Sequence, residues 1–132
     1  MQTFLPYADF KKTASVLDRQ RLGKQRVETL QILRALHWPN YGWKNHPATL
    51  LWRDYPGHLV EYGLAICTEW INRGYNDSCY DQIAAFDCSK STPPRFSEEL
   101  HASHRSALLK KDPIYYNQFG WIEKPEIKYI WK

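Results

Sequence analysis

The run from Leu17 to Leu36, LDRQRLGKQRVETLQILRAL, constrains this chain more than any other stretch. Its apolar and polar residues alternate at a helical period. At 100° per residue, Leu22, Leu33 and Leu36 fall on one side with Leu30 nearby, which predicts a core-facing stripe. Opposite them, Arg21, Lys24, Gln25, Glu28 and Gln31 share an arc. That arc holds a single carboxylate among cations and amides. Two readings are open at this level. One is a solvated face, with Lys24 and Glu28 as an ordinary i,i+4 pair. The other is a carboxylate held in a basic, phosphate-attracting site.

The remaining chain is read around that helix. A length of 132 residues suits one domain with one core. Met1 to Tyr7 reads as an extended arm packed on the body. Asp9 caps a short helix through Lys12 or beyond. The long helix ends near His37, because the residue before Pro39 avoids the α region. Asn45 offers a cap and Pro47 an early position for a helix reaching Trp52, with Leu50 and Leu51 inward. Pro56 opens a central helix carrying Leu59, Gly63, Ile66, Cys67 and Trp70, which Gly74 stops. Asp77 is expected to cap a short helix containing Ile83 and Phe86, and residues 88–97 read as a loop. Ser97 caps a helix opened by Glu98 and Glu99, with Leu100, His104, Ala107, Leu108 and Lys111 along one face, and Asp112-Pro113 ends it. No strand alternation, repeat or low-complexity tract is visible. The class is all-α: a compact single-domain helical fold, residues 1–132, with long irregular connections.

Charge and cysteines narrow the partners. The net charge is +4, and its distribution says more than its total. Residues 1–52 carry eight Lys/Arg against three Asp/Glu, residues 53–99 four against eight, and residues 100–132 six against three. If the two basic ends meet in space, they form one positive surface suited to phosphates. The cysteines are Cys67, Cys79 and Cys88, an odd number without zinc-type spacing. With no signal peptide visible, they fit a reducing, cytoplasmic compartment (nucleoid-associated if the source is bacterial). No apolar run approaches the roughly 18 residues of a membrane span.

The order of segments resembles a known family. Gln20-Arg21-Leu22-Gly23-Lys24-Gln25-Arg26-Val27-Glu28 is followed by Trp43-Lys44-Asn45-His46-Pro47, a helix ending Arg73-Gly74-Tyr75-Asn76, a basic helix and an aromatic tail. This is similar to the pyrimidine-dimer DNA glycosylases, of the phage endonuclease V type and its small bacterial relatives. The resemblance runs from about Leu17 to Tyr116. It implies an endonuclease V-like helical fold that acts on double-stranded DNA bearing a damaged or modified base, as a monomer, with no metal or other cofactor. It also implies glycosylase and abasic-site lyase chemistry. An N-terminal amine attacks the sugar C1′ to form a Schiff base, a glutamate assists, and β-elimination cuts the strand.

Carried onto this chain, the glutamate is Glu28 and the amine belongs to Met1, or to Gln2 if Met1 is removed. In the phage enzyme a small second residue supplies the amine; here the bulky Gln2 favours retention of Met1. The arm is also longer than the phage one, and Thr3 stands where the phage enzyme has a basic residue. The chemistry is sound on its own terms. An α-amine has an ordinary pKa of about 7.7–8.0 against about 10.4 for lysine, so it is partly neutral at cellular pH. Glu28 would stabilise positive charge developing on the sugar and then move protons. Candidate DNA contacts are Arg19, Arg21, Lys24, Arg26, His46, Lys110 and Lys111. Several have a simpler use. Arg26 falls on the apolar side of the wheel, where it is either paired or reaching a phosphate. His46 can bond locally at a helix start, and Lys110 and Lys111 suit a helix C-terminus whatever the partner. His104 reads as a satisfied core histidine, and Trp43, Tyr115 and Tyr116 as packing before base stacking. Two other functions stay open: a non-catalytic nucleic-acid-binding module, and an N-glycosidase acting on a nucleotide or modified nucleoside.

Overall fold

The computed structural model describes residues 1–86, 88–89 and 93–132, and among them there is no strand. The all-α expectation holds. Asp9 Oδ1 accepts the Lys12 N–H at 2.7 Å and opens α1, Phe10–Val16. The organising helix, α2, is Arg19–His37. It starts two residues later than its pattern predicts. Leu17 stays extended as the last, fully buried residue of the preceding turn, and Asp18 takes the cap, its Oδ2 accepting the Arg21 N–H. A carboxylate at that position satisfies an N–H that has no partner within the helix. At the far end Trp38 is extended before Pro39, as expected.

Helix α3 is Pro47–Trp52. Its cap is His46, not Asn45: with Pro47 at the first helical position, the residue before it is the one whose side chain reaches back. His46 Nδ1 accepts the Ala48 N–H at 3.1 Å. Leu50, expected inward, is 41% exposed. A six-residue helix has one inward stripe, and Ala48, Leu51 and Trp52 fill it. Helix α4, Pro56–Asn72, is the central one and closes at Gly74, whose φ of +93° is the left-handed cap that glycine provides without strain. Helix α5, Tyr80–Ala84, is shorter than expected. Asp77 Oδ2 does accept the Tyr80 N–H at 2.8 Å, but Phe86 lies beyond the helix. Of the predicted loop 88–97, residues 90–92 lie outside the described residues. Ser97 caps α6, Glu98–Lys111, as its sequence predicts. A short α7, Pro113–Tyr116, follows, with Asp112 Oδ1 accepting the Tyr115 N–H, and leads into a 3₁₀ turn over Asn117–Phe119.

The core forms where α2 lies against α4. Gly63 makes that approach possible: a Cβ there would stand 2.6 Å from Thr29 Cγ2 and 3.1 Å from two Ile83 carbons. Trp52, Tyr62, Leu59, Ile66 and Leu33 fill the space around it. Cys67 is buried there too, and desolvation pushes its thiol well up, so it packs as a small apolar group.

The N-terminal arm is threaded into this core rather than laid on it. Thr3, Phe4, Leu5 and Pro6 are buried. A buried strand-like segment with no sheet must satisfy its backbone otherwise, and here side chains do so. Gln25 Nε2 donates to the Gln2 carbonyl (2.8 Å), and the Phe4 N–H donates to Gln25 Oε1 (3.1 Å). The Tyr129 hydroxyl donates to the Thr3 carbonyl. The Tyr62 hydroxyl lies between the Phe4 carbonyl (2.8 Å) and Gln25 Oε1 (2.7 Å). Arg105 donates to the Pro6 carbonyl at 2.8 Å.

Candidate active site

Gln25 and Glu28 stand one helical turn apart on α2, so their side chains share a face. The sequence pattern put Gln25 on the solvated arc. In the structure it is 1% exposed and becomes the hub of the arm. The same Nε2 that holds the Gln2 carbonyl donates to Glu28 Oε2 at 2.8 Å. The arm and the carboxylate are thereby tied through one amide.

Four groups converge on Glu28. Besides Gln25, these are the Gln2 backbone N–H, which bonds the carboxylate, and the positive charges of the Met1 amine and Lys24. All four favour the ionised form. Burial outweighs them, and the Glu28 carboxyl is held above the ordinary carboxylate value. His46 feels the Met1 amine as well: burial first, and that charge second, hold its imidazole below its ordinary value. The charge of the Met1 amine thus acts on both Glu28 and His46, and Tyr129 holds the Thr3 carbonyl of the same arm.

A small cavity of about 100 Å³ opens over this cluster, its lining including Gln2 from the arm, Arg21, Lys24, Gln25 and Glu28 from α2, and Lys111 from α6. Beyond Glu28 a wider cleft of about 640 Å³ runs past Arg19, Lys24, Gln31 and Trp70. A larger groove of about 830 Å³, between α1 and α4, contains none of these residues. The basic ends of the chain do meet, through Lys111 beside Arg21 and Lys24.

The candidate cations separate into two groups. Arg19 and Lys24 are exposed along the wide cleft, Arg19 with its guanidinium 6.0 Å from the Tyr75 ring. Lys111 is exposed over the small cavity. Arg21 also lines the cavity while paired with Asp18 at 3.3 Å. Arg26 is not brought to the cluster. Two residues from Glu28 on a helix, it points the other way, pairs with Asp77 at 2.6 Å and lies 4.4 Å over the Trp70 ring. Lys110 is exposed and outside both concavities. His46 caps α3, the local role its position allowed.

Some of this shell had no signal in the sequence. Gln25, Tyr62 and Tyr129 hold the arm, and nothing in their spacing announces it. His104 had one: an apolar helical face predicts a satisfied core histidine, and it is fully buried with two backbone partners. Tyr116, weighed as packing, is fully buried with its hydroxyl on Asp18. Among the described residues no group of three or more His, Cys, Asp or Glu could hold a metal ion, and no helix is long and apolar enough to cross a membrane.

The helical fold sets one carboxylate beside exposed cations, a surface suited to phosphate groups. The residues that carry the cluster fall largely within residues 1–82, which match the family model for pyrimidine dimer DNA glycosylase. The chain belongs to the pyrimidine dimer DNA glycosylase family, and its class of activity is DNA glycosylase-type repair. Nothing matches it among curated proteins, and nothing matches it among solved structures.

Proposed function

We propose that this protein is a bifunctional DNA glycosylase and abasic-site lyase whose nucleophile is its own N-terminal amine, with Glu28 as the acid–base partner. The observation that supports the reading is the Gln25 amide, which donates to both the Gln2 carbonyl and Glu28 Oε2 at 2.8 Å and so ties the start of the chain to the carboxylate. An extended arm whose carbonyls from Gln2 to Pro6 are each met by a side chain is an expensive way to hold a chain end, unless that end has work to do at a fixed place.

In this reading the neutral amine attacks C1′ of the damaged nucleotide. The C1′–N glycosidic bond breaks and its electron pair leaves with the base. One amine proton passes to the departing base, the sugar ring opens as O4′ takes up a proton from solvent, and a protonated imine joins the protein to C1′. Glu28, ionised, stabilises the positive charge at C1′ and then takes a proton from C2′; the C3′–O bond breaks with the 3′ phosphate as the leaving group. Lys24, Lys111, Arg21 and Arg19 hold the strand's phosphates along the two concavities. Arg26 and Lys110 are the weakest of the proposed DNA contacts. We take Met1 as the nucleophile, with Gln2 taking its place where processing removes Met1. Residues 1–132 act as one catalytic domain and one monomer, since α6 and the tail hold the arm that residues 1–82 supply.

The test is borohydride trapping. The protein is mixed with duplexes carrying a cyclobutane dimer, an abasic site or no lesion, then reduced, and the adduct is mapped by mass spectrometry. An adduct at the N-terminal residue on the dimer duplex supports both activities, and an adduct on the abasic duplex alone reduces the reading to a lyase. No adduct with any duplex, from folded protein with a free N-terminus, overturns it in favour of a binding module.

A further inference from the structure

Among the described residues, Trp43 is the one non-glycine residue with a positive φ, +67°. A bulky L residue enters that region only when its surroundings over-determine it, and such residues gather at functional sites. The surroundings here are specific. The Trp43 carbonyl accepts the His46 N–H at 3.1 Å, closing a tight turn. Within that turn Lys44 Nζ donates to the Ala35 carbonyl at 2.7 Å and the Trp38 carbonyl at 2.6 Å, which pins the loop to the end of α2. His46, at the turn's far end, is fixed as the cap of α3.

This rigid mount displays its side chain rather than burying it. Trp43 is 55% exposed. Its one ring partner among the described residues is His46, edge to face at 5.6 Å. Behind His46 stand Trp131, at 5.7 Å, and then Tyr129, at 4.6 Å from Trp131. His46 is also the imidazole that feels the Met1 amine. So a strained, anchored and exposed indole is linked through His46, Trp131 and Tyr129 to the N-terminal arm, for the Tyr129 hydroxyl donates to the Thr3 carbonyl and the neighbouring Gln2 carbonyl shares the Gln25 amide with Glu28.

We propose that Trp43 is a base-stacking contact, taking the face of an unstacked nucleobase at the lesion. This rests on the reading that the damaged strand lies at Glu28 and the Met1 amine. Chemistry at C1′ requires bases at the lesion to leave the helical stack, and each exposes a π face when it does. An indole on a loop fixed before binding supplies the complementary face without backbone ordering on association. The ligand is the unstacked base itself, so the contact favours damaged over intact duplex.

The experiment compares Trp43→Ala, Trp43→Gly and Trp43→Phe with the wild type, reading equilibrium affinity by fluorescence anisotropy. The probes are a duplex carrying one cyclobutane thymine dimer and the same duplex undamaged. Trp43→Gly removes the ring while easing the left-handed backbone, and Trp43→Phe keeps an aromatic face. The proposal expects Trp43→Ala and Trp43→Gly each to lose about tenfold in affinity for the dimer duplex. It expects less than about threefold loss on the undamaged one, with Trp43→Phe staying within about threefold of wild type on both. The proposal is overturned if Trp43→Gly keeps wild-type preference for the dimer, or if Trp43→Phe falls as far as Trp43→Ala. Failure of the amine reading shows separately, as absence of a borohydride adduct in the wild type, and leaves this binding comparison intact.

Discussion

The backbone N–H of Leu5 donates to Nδ1 of His104 at 2.9 Å, across 99 residues of chain. Because Nδ1 accepts, the ring proton of the neutral imidazole sits on Nε2, which donates to the Ile130 carbonyl at 2.9 Å. Tyr129 stacks on the same ring at 4.1 Å, and His101 Nδ1 holds the Leu5 carbonyl at 2.7 Å. One histidine on α6 thus binds both chain ends to the core. If the amine of Met1 is the nucleophile, His104 is the residue that positions the arm carrying it.

That geometry makes stability depend on pH. Burial, and to a lesser degree His101, lower the His104 imidazole to about 4, against the pull of its bond to Ile130. The unfolded chain takes up a proton on this histidine below about pH 6.5, while the folded protein resists until about pH 4. The unfolded state therefore binds more protons in that window, and stability falls as pH falls through it. The part due to His104 is about 3 kcal/mol, lost between pH 6.5 and 4. Urea unfolding at pH 7, 6, 5 and 4 measures it. His104→Ala should cost about 2 kcal/mol at pH 7, since the Leu5 N–H is left buried and unpaired, and should flatten the acid slope. An unchanged slope in the variant would remove His104 from this role.

Glu28 predicts a pH effect on catalysis instead. Its carboxyl is raised above 4.5 by burial, and the mechanism needs the ionised form. Once the imine has formed the amine no longer titrates, so the acid limb of β-elimination from preformed imine should have its midpoint above pH 4.5. Glu28→Gln keeps the shape and loses the charge, so cleavage should drop by about a hundredfold or more. Affinity for undamaged duplex should stay within about threefold. Single-turnover cleavage and anisotropy measure the two. Full activity in Glu28→Gln would remove Glu28 from the mechanism.

How much of this was legible in the sequence depends on the kind of signal. Helices α2, α4 and α6 were read almost residue by residue, because caps, prolines and a 3.6-residue period are local facts. The errors at Leu17, Asn45 and Leu50 are each one step in a local competition, as Asp18 and His46 took the caps and Ala48 took the inward place. Glu28 stood out because it is a lone carboxylate among cations. Gln25 was misplaced for a reason that no helical wheel contains. Its partner is the arm, a segment of other sequence and no periodicity, and an amide buried against a backbone looks on a wheel like an amide in water. Local pattern leaves Arg26 open between a pair and a phosphate, because the partner that decides its position, Asp77, lies 51 residues on.

Arg26 and Lys24 should therefore differ in how they respond to salt. Each phosphate contact contributes about one unit to the slope of log K against log salt. Lys24→Gln and Lys111→Gln should each lower that slope by nearly one with little effect on stability. Arg26→Gln should leave the slope unchanged and destabilise the fold by about 3 kcal/mol, since Asp77 loses the cation whose hydrogen bond holds its carboxyl below the usual range. Binding isotherms from 50 to 200 mM salt, beside urea melts, separate the two. A slope reduced by one in Arg26→Gln would restore it as a DNA contact.

The last prediction concerns the contact that sets α2 against α4. A methyl at position 63 would collide with Thr29 Cγ2 at 2.6 Å, and α2 carries Glu28 one residue before Thr29. Gly63→Ala gains helix propensity but overpacks a buried contact, and overpacking dominates at that distance, for a net loss of about 1–3 kcal/mol. Thr29→Ser removes the colliding methyl and little else. The double variant Gly63→Ala/Thr29→Ser should recover at least half of the loss, a coupling that two independent sites would not show. The trapping rate should follow the same pattern, because a shift of α2 moves Glu28 against an arm anchored on α6. Additive losses in the double variant would mean that the two helices adjust without this contact, and that the spacing of carboxylate and amine is set elsewhere.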